Sequence, residues 1–176
     1  MRNFSSTLAT ISKEHLAKLD EMSKLSSIAY CHNLTAPFVC INHCADFTNV
    51  TLVKVPPPQK LLTKKKFTDQ EFGNVEGYIA RDDSFPIGRI IIAIRGTASL
   101  ANIGIDLQQG LTTMGLIAGC PTCSVHAGFY LAFKAVSEDI EKIVSSELAA
   151  HPTYRLVVTG HSLGGALAAM LVYYYV

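Results

Sequence analysis

Apolar and polar residues follow two different periods along this chain. From residue 13 to 29, apolar side chains recur every three or four positions, which is the spacing of one face of an α-helix. A second stripe with this period runs from residue 129 to 144 and must end before Pro152. Residues 90–94 are instead apolar at every position, as expected of a strand that is buried on both faces of a sheet. Apolar runs bounded by turn residues predict four strands, over residues 51–55, 76–81, 89–95 and 156–159.

The order of these elements predicts the fold class. A strand, a longer segment, a helix, a strand, a tight turn and a further helix follow one another from residue 89 onward. This alternation is typical of an α/β domain with a mostly parallel central sheet. With 176 residues, 49% of them hydrophobic, the chain is expected to form a single domain from residue 1 to 176.

The turn between the last strand and the last helix carries the clearest chemical motif. Its sequence is Gly160-His161-Ser162-Leu163-Gly164-Gly165. A Gly-x-Ser-x-Gly turn between a strand and a helix is the nucleophile elbow of an α/β-hydrolase, which projects a reactive serine above the edge of the sheet. Gly160 and Gly164 have no Cβ and so allow the strand and the helix to pass close together. The N–H of Leu163 is expected to point to where an oxyanion would form. The alternative is an ordinary glycine-rich turn.

A second oxyanion donor is expected at the end of the all-apolar strand. Arg95-Gly96-Thr97 leaves this strand, where Gly96 permits a turn and Thr97 offers both an N–H and a hydroxyl. An acyl-transfer serine needs such donors, since losing one typically lowers turnover by about 10²–10³-fold. A simple strand-ending turn is the alternative for this segment.

Charge and hydropathy argue against several other classes of protein. The formal net charge is +1, which argues against a dedicated nucleic-acid binder, and the one concentrated basic run, residues 64–66, is expected in a surface loop. No stretch reaches the roughly 20 apolar residues of a transmembrane segment. Residues 1–10 lack the apolar core of a secretion signal. No phosphate-binding loop, dinucleotide fingerprint or metal-spaced histidine pair is found, so neither a cofactor nor a metal is implied.

The cysteines indicate an oxidising compartment. Cys40 and Cys44 are four residues apart, and Cys120 and Cys123 are three apart in a loop. The second pair has the spacing of a redox motif or of half a zinc site, but two short local disulfides explain both pairs better. Three N-glycosylation sequons begin at Asn3, Asn33 and Asn49. Together these features predict a secreted glycoprotein whose signal is not present in this sequence.

Three segments together carry a family resemblance. They are Ile94-Arg95-Gly96-Thr97-Ala98-Ser99, Val125-His126-Ala127-Gly128-Phe129 and Val158-Thr159-Gly160-His161-Ser162-Leu163-Gly164-Gly165-Ala166-Leu167. With them the chain resembles the fungal class 3 lipases, and among these the secreted yeast triacylglycerol lipases, from about residue 25 to the last residue. The resemblance implies an α/β-hydrolase fold in which Ser162 is the nucleophile and Thr97 and Leu163 form the oxyanion hole. It also implies that the two short cysteine pairs are disulfides.

The resemblance further implies a lid in the segment that follows Thr97. In the family this segment is amphipathic and opens at a lipid surface. Four lid residues are singled out here: Ser99, Leu100, Ile103 and Leu107. The three apolar ones share one helical face, although a packing helix that never moves has the same spacing. Asp106 matches the acidic position that closes the lid motif and is expected to support the oxyanion hole rather than to transfer protons.

The acid and the base of a catalytic triad are not found where the motif requires them. A serine nucleophile needs an adjacent base, and in α/β-hydrolases the acid and the histidine follow the serine along the chain. Only 14 residues follow Ser162, and none of them is Asp, Glu or His. The six histidines of the chain all precede Ser162, and none of them is expected to act as the base: His15, His32, His43, His126, His151 and His161. Cys31 also lacks a partner, which in the yeast lipases lies near the C-terminus. The chain is therefore expected to be the N-terminal part of a lipase-type domain.

These observations support one leading function and two alternatives. The leading function is that of a carboxylic-ester hydrolase, a triacylglycerol lipase in which Ser162 attacks an acylglycerol ester at a lipid–water interface and forms an acyl-enzyme. The first alternative is a non-catalytic product, either a truncated fragment or a pseudoenzyme, because the acid and base are missing. The second is a feruloyl esterase or phospholipase A1 of the same family, because acyl-group choice depends on lid and pocket residues.

Overall fold

The computed structural model describes residues 11–53, 75–84, 86–96, 110–115 and 122–175. The elements within these ranges are, in chain order, α1 (Lys13–Ile28), β1 (Val50–Leu52), β2 (Gly77–Asp82), β3 (Arg89–Ile94), β4 (Leu111–Thr113), β5 (Ser124–His126), α2 (Ala127–Ala150), β6 (Arg155–Gly160) and α3 (Leu163–Tyr175). A 3₁₀ turn covers His43–Asp46. No helix of the described part of the chain is long and apolar enough to cross a membrane.

The predicted helices are confirmed, with ends that the apolar stripes did not show. Helix α1 begins after Ser12, whose side chain accepts a hydrogen bond from the His15 N–H. Helix α2 is longer at both ends than its apolar stripe, because the side chain of His126 caps its first turn and polar, solvated residues continue it to Ala150. The strands predicted around residues 51, 76, 89 and 156 are also present. The short pair β4 and β5 was not predicted, since three residues are too few to show an alternating pattern.

The larger sheet is mixed, which corrects the expectation of a mostly parallel one. Its strand order is β1-β2-β3-β6, and only β3 and β6 run parallel. Strands β1, β2 and β3 pair in antiparallel fashion. The connection between β2 and β3 is too short to cross over the sheet, so the two strands form a hairpin. Helix α2 lies in the long connection between β3 and β6 and allows those two strands to run in the same direction.

Strand β3 lies between two apolar layers. Ile90, Ile92 and Ile94 pack against helices α2 and α3, while Ile91 and Ala93 face helix α1 on the other side. All five side chains are fully buried, which confirms the prediction of a strand buried on both faces. Each buried isoleucine contributes about 1.5–3 kcal/mol relative to exposure. This burial holds β3 in place beside its parallel neighbour β6. The candidate site lies at the carboxyl ends of these two strands.

Candidate active site

The Gly-x-Ser-x-Gly turn lies at the carboxyl end of β6, beside the carboxyl end of β3. In the register of the two strands Ile94 is opposite Gly160, so the residues that leave both strands meet at one edge of the sheet. Ser162 has a φ of 55°, the one non-glycine residue in the described part of the chain with a positive φ. Such a left-handed conformation costs a side-chain-bearing residue about 1–2 kcal/mol. Ser162 is exposed, so this strained turn presents its hydroxyl to solvent.

Two glycines lie where this turn leaves no room for a Cβ. A Cβ on Gly160 would lie 2.3 Å from the carbonyl oxygen of Gly164, and a Cβ on Gly164 would lie 2.1 Å from that of Ile94. The strand, the turn and the first turn of α3 are therefore in backbone contact with one another and with β3. Such contact requires residues without a Cβ.

Leu163 is the first residue of α3, and nothing in the described residues accepts a hydrogen bond from its N–H. The next N–H groups do have partners, since Gly164 donates to the His161 carbonyl at 3.0 Å and Gly165 to the Ser162 carbonyl at 2.9 Å. Unpaired N–H groups at a helix N-terminus carry partial positive charge and attract anions. The Leu163 N–H thus lies one residue from the Ser162 hydroxyl and has no competing acceptor among the described residues.

Gly96, which follows β3, lies directly against the turn. A Cβ on Gly96 would stand 2.5 Å from the His161 carbonyl oxygen and 3.0 Å from the Cβ of Ser162. The chain that leaves β3 therefore passes beside the serine. The remaining predicted site residues lie outside the described residues: Thr97, Ser99, Leu100, Ile103, Asp106 and Leu107.

Tyr30, which the sequence did not single out, connects the two loops. Its hydroxyl oxygen accepts a hydrogen bond from the Gly96 N–H at 3.1 Å and lies 2.9 Å from Nδ1 of His161. The tyrosine and histidine rings also meet edge to face, with centroids 6.0 Å apart. These partners are 66 and 131 residues away along the chain, so no local pattern could have indicated the contact.

Arg95 lies on the buried side of Tyr30. It is 7% exposed, and its Nη1 forms an ion pair with Oε2 of Glu76 at 2.7 Å. Its guanidinium carbon lies 6.0 Å from the centroid of the Tyr30 ring, at the outer limit of a cation–π contact. Its Nε has no partner among the described residues. Arg95, which is anchored by Glu76, therefore packs near the ring of Tyr30, the residue that contacts both loops.

None of the six histidines, all of which are described, is hydrogen-bonded to Ser162. His161 adjoins the serine, but its Nδ1 is directed to Tyr30. His126 accepts a hydrogen bond from the Phe129 N–H and caps α2. His43 and His151 contact Asp46 and Arg81 respectively, while His15 and His32 are exposed. The described part of the chain also contains no cluster of three or more side chains able to hold a metal ion.

A cavity of about 910 Å³ opens beside the turn, between α1 and the end of β6. Its wall includes Leu19 and Met22 from α1 together with Tyr30, Arg95 and His161. Apolar side chains of α1 thus reach the same edge of the sheet as the serine turn.

The disulfide expectations are confirmed for one pair. Cys40 and Cys44 form a disulfide. Cys123 is also disulfide-bonded, but its predicted partner Cys120 lies outside the described residues. Cys31 carries no disulfide in the described part of the chain.

Ser162 has a positive φ and lies between a parallel strand and a helix. Gly160 contacts the first turn of that helix, and Gly164 contacts the neighbouring strand β3. This arrangement defines the nucleophile elbow of an α/β-hydrolase. Comparison with known proteins then identifies a family. The sequence profile of class 3 lipases matches residues 91–176, which contain the serine turn. This part of the chain is assigned by similarity to the class 3 lipases.

Individual relatives agree with this assignment. The chain is similar to a secreted mono- and diacylglycerol lipase of Fusarium solani, with 37% identity over 100 residues that cover 57% of this chain and 28% of the relative. It is similar to a lipase of Rhizopus niveus, with 31% identity over 88% of this chain and 36% of the relative. The solved structure of a Yarrowia lipolytica lipase superposes with a TM-score of 0.71 and 32% identity, over 90% of this chain and 53% of that one. The chain thus spans about a third of these two curated relatives and about half of the solved lipase.

Proposed function

We propose that this chain is the nucleophile-bearing part of a carboxylic-ester hydrolase that acts on acylglycerols. The single observation that carries the proposal is the exposed, left-handed Ser162 beside the Leu163 N–H, which has no acceptor among the described residues. Ser162 Oγ would attack the ester carbonyl and form an acyl-enzyme, which water then hydrolyses. The match of residues 91–176 to the class 3 lipases supports this choice of reaction.

In this proposal two groups stabilise the tetrahedral oxyanion. The first is the N–H of Leu163, which lies at the positive end of the α3 dipole and has no acceptor in the described part of the chain. The second is Thr97, whose preceding residue Gly96 packs beside Ser162. Asp106 would support Thr97. The segment with Ser99, Leu100, Ile103 and Leu107 would form a lid over the site and meet the lipid surface.

The base that activates Ser162 would come from outside these 176 residues. Every histidine of the chain is described, and none is hydrogen-bonded to the serine. A serine at its free pKa is a weak nucleophile and needs a neighbouring base. We therefore assign to this chain the nucleophile and the oxyanion hole, and to a further segment the histidine and its acidic partner.

The proposed substrate and location follow the relatives. A mono- and diacylglycerol lipase named as secreted is among them, and an acylglycerol at a lipid–water interface is the corresponding substrate class. The disulfide between Cys40 and Cys44 is consistent with secretion. The sequon residues Asn33 and Asn49 are both exposed, as acceptors of N-linked glycan must be.

A second candidate is a non-catalytic product, and it is favoured because no histidine of the described residues is hydrogen-bonded to Ser162. Such a protein would have a folded elbow and no serine-dependent turnover.

The test measures hydrolysis of p-nitrophenyl butyrate and labelling by a fluorophosphonate probe, in the complete natural polypeptide that carries this sequence. Ser162→Ala is expected to lower kcat/KM by at least about 10³-fold and to abolish labelling. The control is Ser145→Ala, which removes an exposed hydroxyl on α2 and should change neither. Retention of most activity in Ser162→Ala would overturn the assignment of the nucleophile. A folded wild-type protein without turnover would establish the non-catalytic alternative.

The same assays on the 176-residue chain locate the base. Because none of its histidines is hydrogen-bonded to Ser162, we expect no serine-dependent turnover from this chain. Turnover that Ser162→Ala removes would show that one of the six histidines reaches the serine, and would contradict an external base.

A further inference from the structure

We infer that Tyr30 is a positioning residue for ester hydrolysis at Ser162, because its hydroxyl ties the loop after β3 to the serine turn. The inference rests on the proposed function, since it concerns the geometry of that same site. It assigns to Tyr30 a role that neither the motif nor the family comparison attributes to it.

The hydrogen bonds define what the Tyr30 hydroxyl does. A phenolic oxygen can accept hydrogen bonds and has one proton to donate. It accepts from the N–H of Gly96 at 3.1 Å, since an amide N–H can only donate. The same hydroxyl lies 2.9 Å from Nδ1 of His161, and which of the two donates depends on the tautomer of the imidazole. In either case the contact orients the His161 ring against Tyr30.

Tyr30 is itself held in place by the end of helix α1. Leu25 and Ile28, in the last turns of this helix, are fully buried. The Tyr78 hydroxyl donates to the Leu25 carbonyl at 2.9 Å, and the Thr159 hydroxyl to the Met22 carbonyl at 3.3 Å. Helix α1 is thus fastened to β2 and to β6, and the tyrosine acts as a fixed support for the two loops.

The Tyr30 hydroxyl contacts both loops that build the proposed oxyanion hole. One loop contains Gly96, which directly precedes Thr97 in the sequence. The other contains His161, which directly precedes Ser162. Because the Gly96 N–H is committed to Tyr30, it is not an oxyanion donor. Instead the bond fixes the orientation of the peptide between Arg95 and Gly96.

The expected effect is on the transition state rather than on substrate binding. Removing an oxyanion donor outright lowers turnover by about 10²–10³-fold. A donor that is displaced rather than removed should lose only part of its stabilisation of the transition state. We therefore expect kcat to fall about tenfold when the Tyr30 hydroxyl is removed. KM should stay within about twofold, because Tyr30 positions groups whose interactions develop only in the transition state.

Tyr30→Phe tests the inference, with Tyr154→Phe as the matched control. Both changes remove one hydroxyl and keep the ring. The Tyr154 hydroxyl donates to Asp83 at 2.7 Å, at the opposite end of β6. In the complete natural polypeptide, kcat and KM for p-nitrophenyl butyrate and the rate of phosphonylation of Ser162 by a p-nitrophenyl phosphonate are measured for each variant. We expect Tyr30→Phe to slow both turnover and phosphonylation about tenfold and Tyr154→Phe to leave both unchanged.

Failure of this inference can be told apart from failure of the proposed function. If Ser162→Ala is inactive while Tyr30→Phe matches Tyr154→Phe, the hydrolase assignment stands and the positioning role is overturned. A rise in KM at unchanged kcat would also overturn it, because it would make Tyr30 a binding residue. If Tyr30→Phe does not fold, amide exchange of the wild-type protein provides the measurement. The Gly96 amide should be protected although it lies beyond the end of β3, and rapid exchange there would refute the hydrogen bond.

Discussion

Gly164 and Ile94 are in such close backbone contact that a Cβ on Gly164 would stand 2.1 Å from the Ile94 carbonyl oxygen. The first turn of α3 thus rests directly on the last residue of β3. This contact determines where the helix begins relative to the sheet, and with it the position of the Leu163 N–H beside Ser162.

Gly164→Ala should therefore destabilise the protein and displace the elbow. The backbone of β3 cannot move away, since Ile94 is fully buried. We expect the free energy of unfolding in urea to fall by about 2–3 kcal/mol, as in other overpacked cores. Gly165→Ala is the control, because its Cβ would lie 3.2 Å from the Gly160 oxygen and alanine favours the helix by up to about 1 kcal/mol. Equal stabilities of the two variants would contradict the contact.

The left-handed backbone of Ser162 predicts a conflict between stability and activity. Ser162→Gly removes the Cβ that makes a φ of 55° unfavourable, whereas Ser162→Ala keeps it. Both variants should lose hydrolysis. In urea unfolding, Ser162→Gly should be about 0.5–1 kcal/mol more stable than Ser162→Ala, after the entropy that glycine loses on folding. A glycine variant that is less stable than the alanine variant would show that the turn is not strained.

Asp82, at the end of β2, is a buried carboxylate with a complete set of partners. It is 1% exposed, and it accepts hydrogen bonds from Ser84 and from Arg89, which also pairs with Glu21. Burial on its own would raise the pKa of Asp82, but the hydrogen bonds from Ser84 and Arg89 outweigh burial and lower the pKa below its ordinary value of 3.8.

This lowered pKa predicts how stability depends on pH. Because the folded state binds the proton less well than the unfolded state, the contribution of Asp82 is complete above its ordinary pKa and is lost as pH falls through the folded value. Asp82→Asn should lower the free energy of unfolding by about 2 kcal/mol at pH 7, and by much less near pH 2. The neighbouring Asp83→Asn, at a half-exposed ion pair with Arg81, should cost less than about 1 kcal/mol. A deficit in Asp82→Asn that is independent of pH would contradict the lowered pKa.

The Cys40–Cys44 disulfide closes a very short loop whose second cysteine is buried against the α1 side of the sheet. Chain-entropy arguments give such a loop about 2 kcal/mol. We expect the double variant Cys40→Ser/Cys44→Ser to be less stable by about this amount in urea. Cys31→Ser, at a cysteine without a disulfide, should stay within about 1 kcal/mol. In the intact protein, the tryptic peptide that contains both cysteines should gain the mass of two hydrogens on reduction, and an unchanged mass would refute the bond.

The elements of the fold were largely predictable because their signals are local. The stripe of α1, the all-apolar residues of β3 and the glycine-flanked serine each reflect a backbone period or a steric need that neighbouring residues express together. The strand directions were predicted less well. The hairpin of β2 and β3 makes the described sheet mixed, and this pairing depends on the short connection rather than on the apolar pattern, which is the same for both directions.

At the site, the sequence by itself determined the serine, the glycines that let it adopt its left-handed turn, and the helix N-terminus that follows. These lie within a few residues of one another, so the chemistry of the motif is contained in its spacing. Only the tertiary structure decided that Tyr30 joins Gly96 to His161, and that Arg95 is anchored by Glu76 behind that tyrosine. Such contacts join residues far apart along the chain, and their geometry depends on how the sheet and α1 pack, which no local pattern encodes.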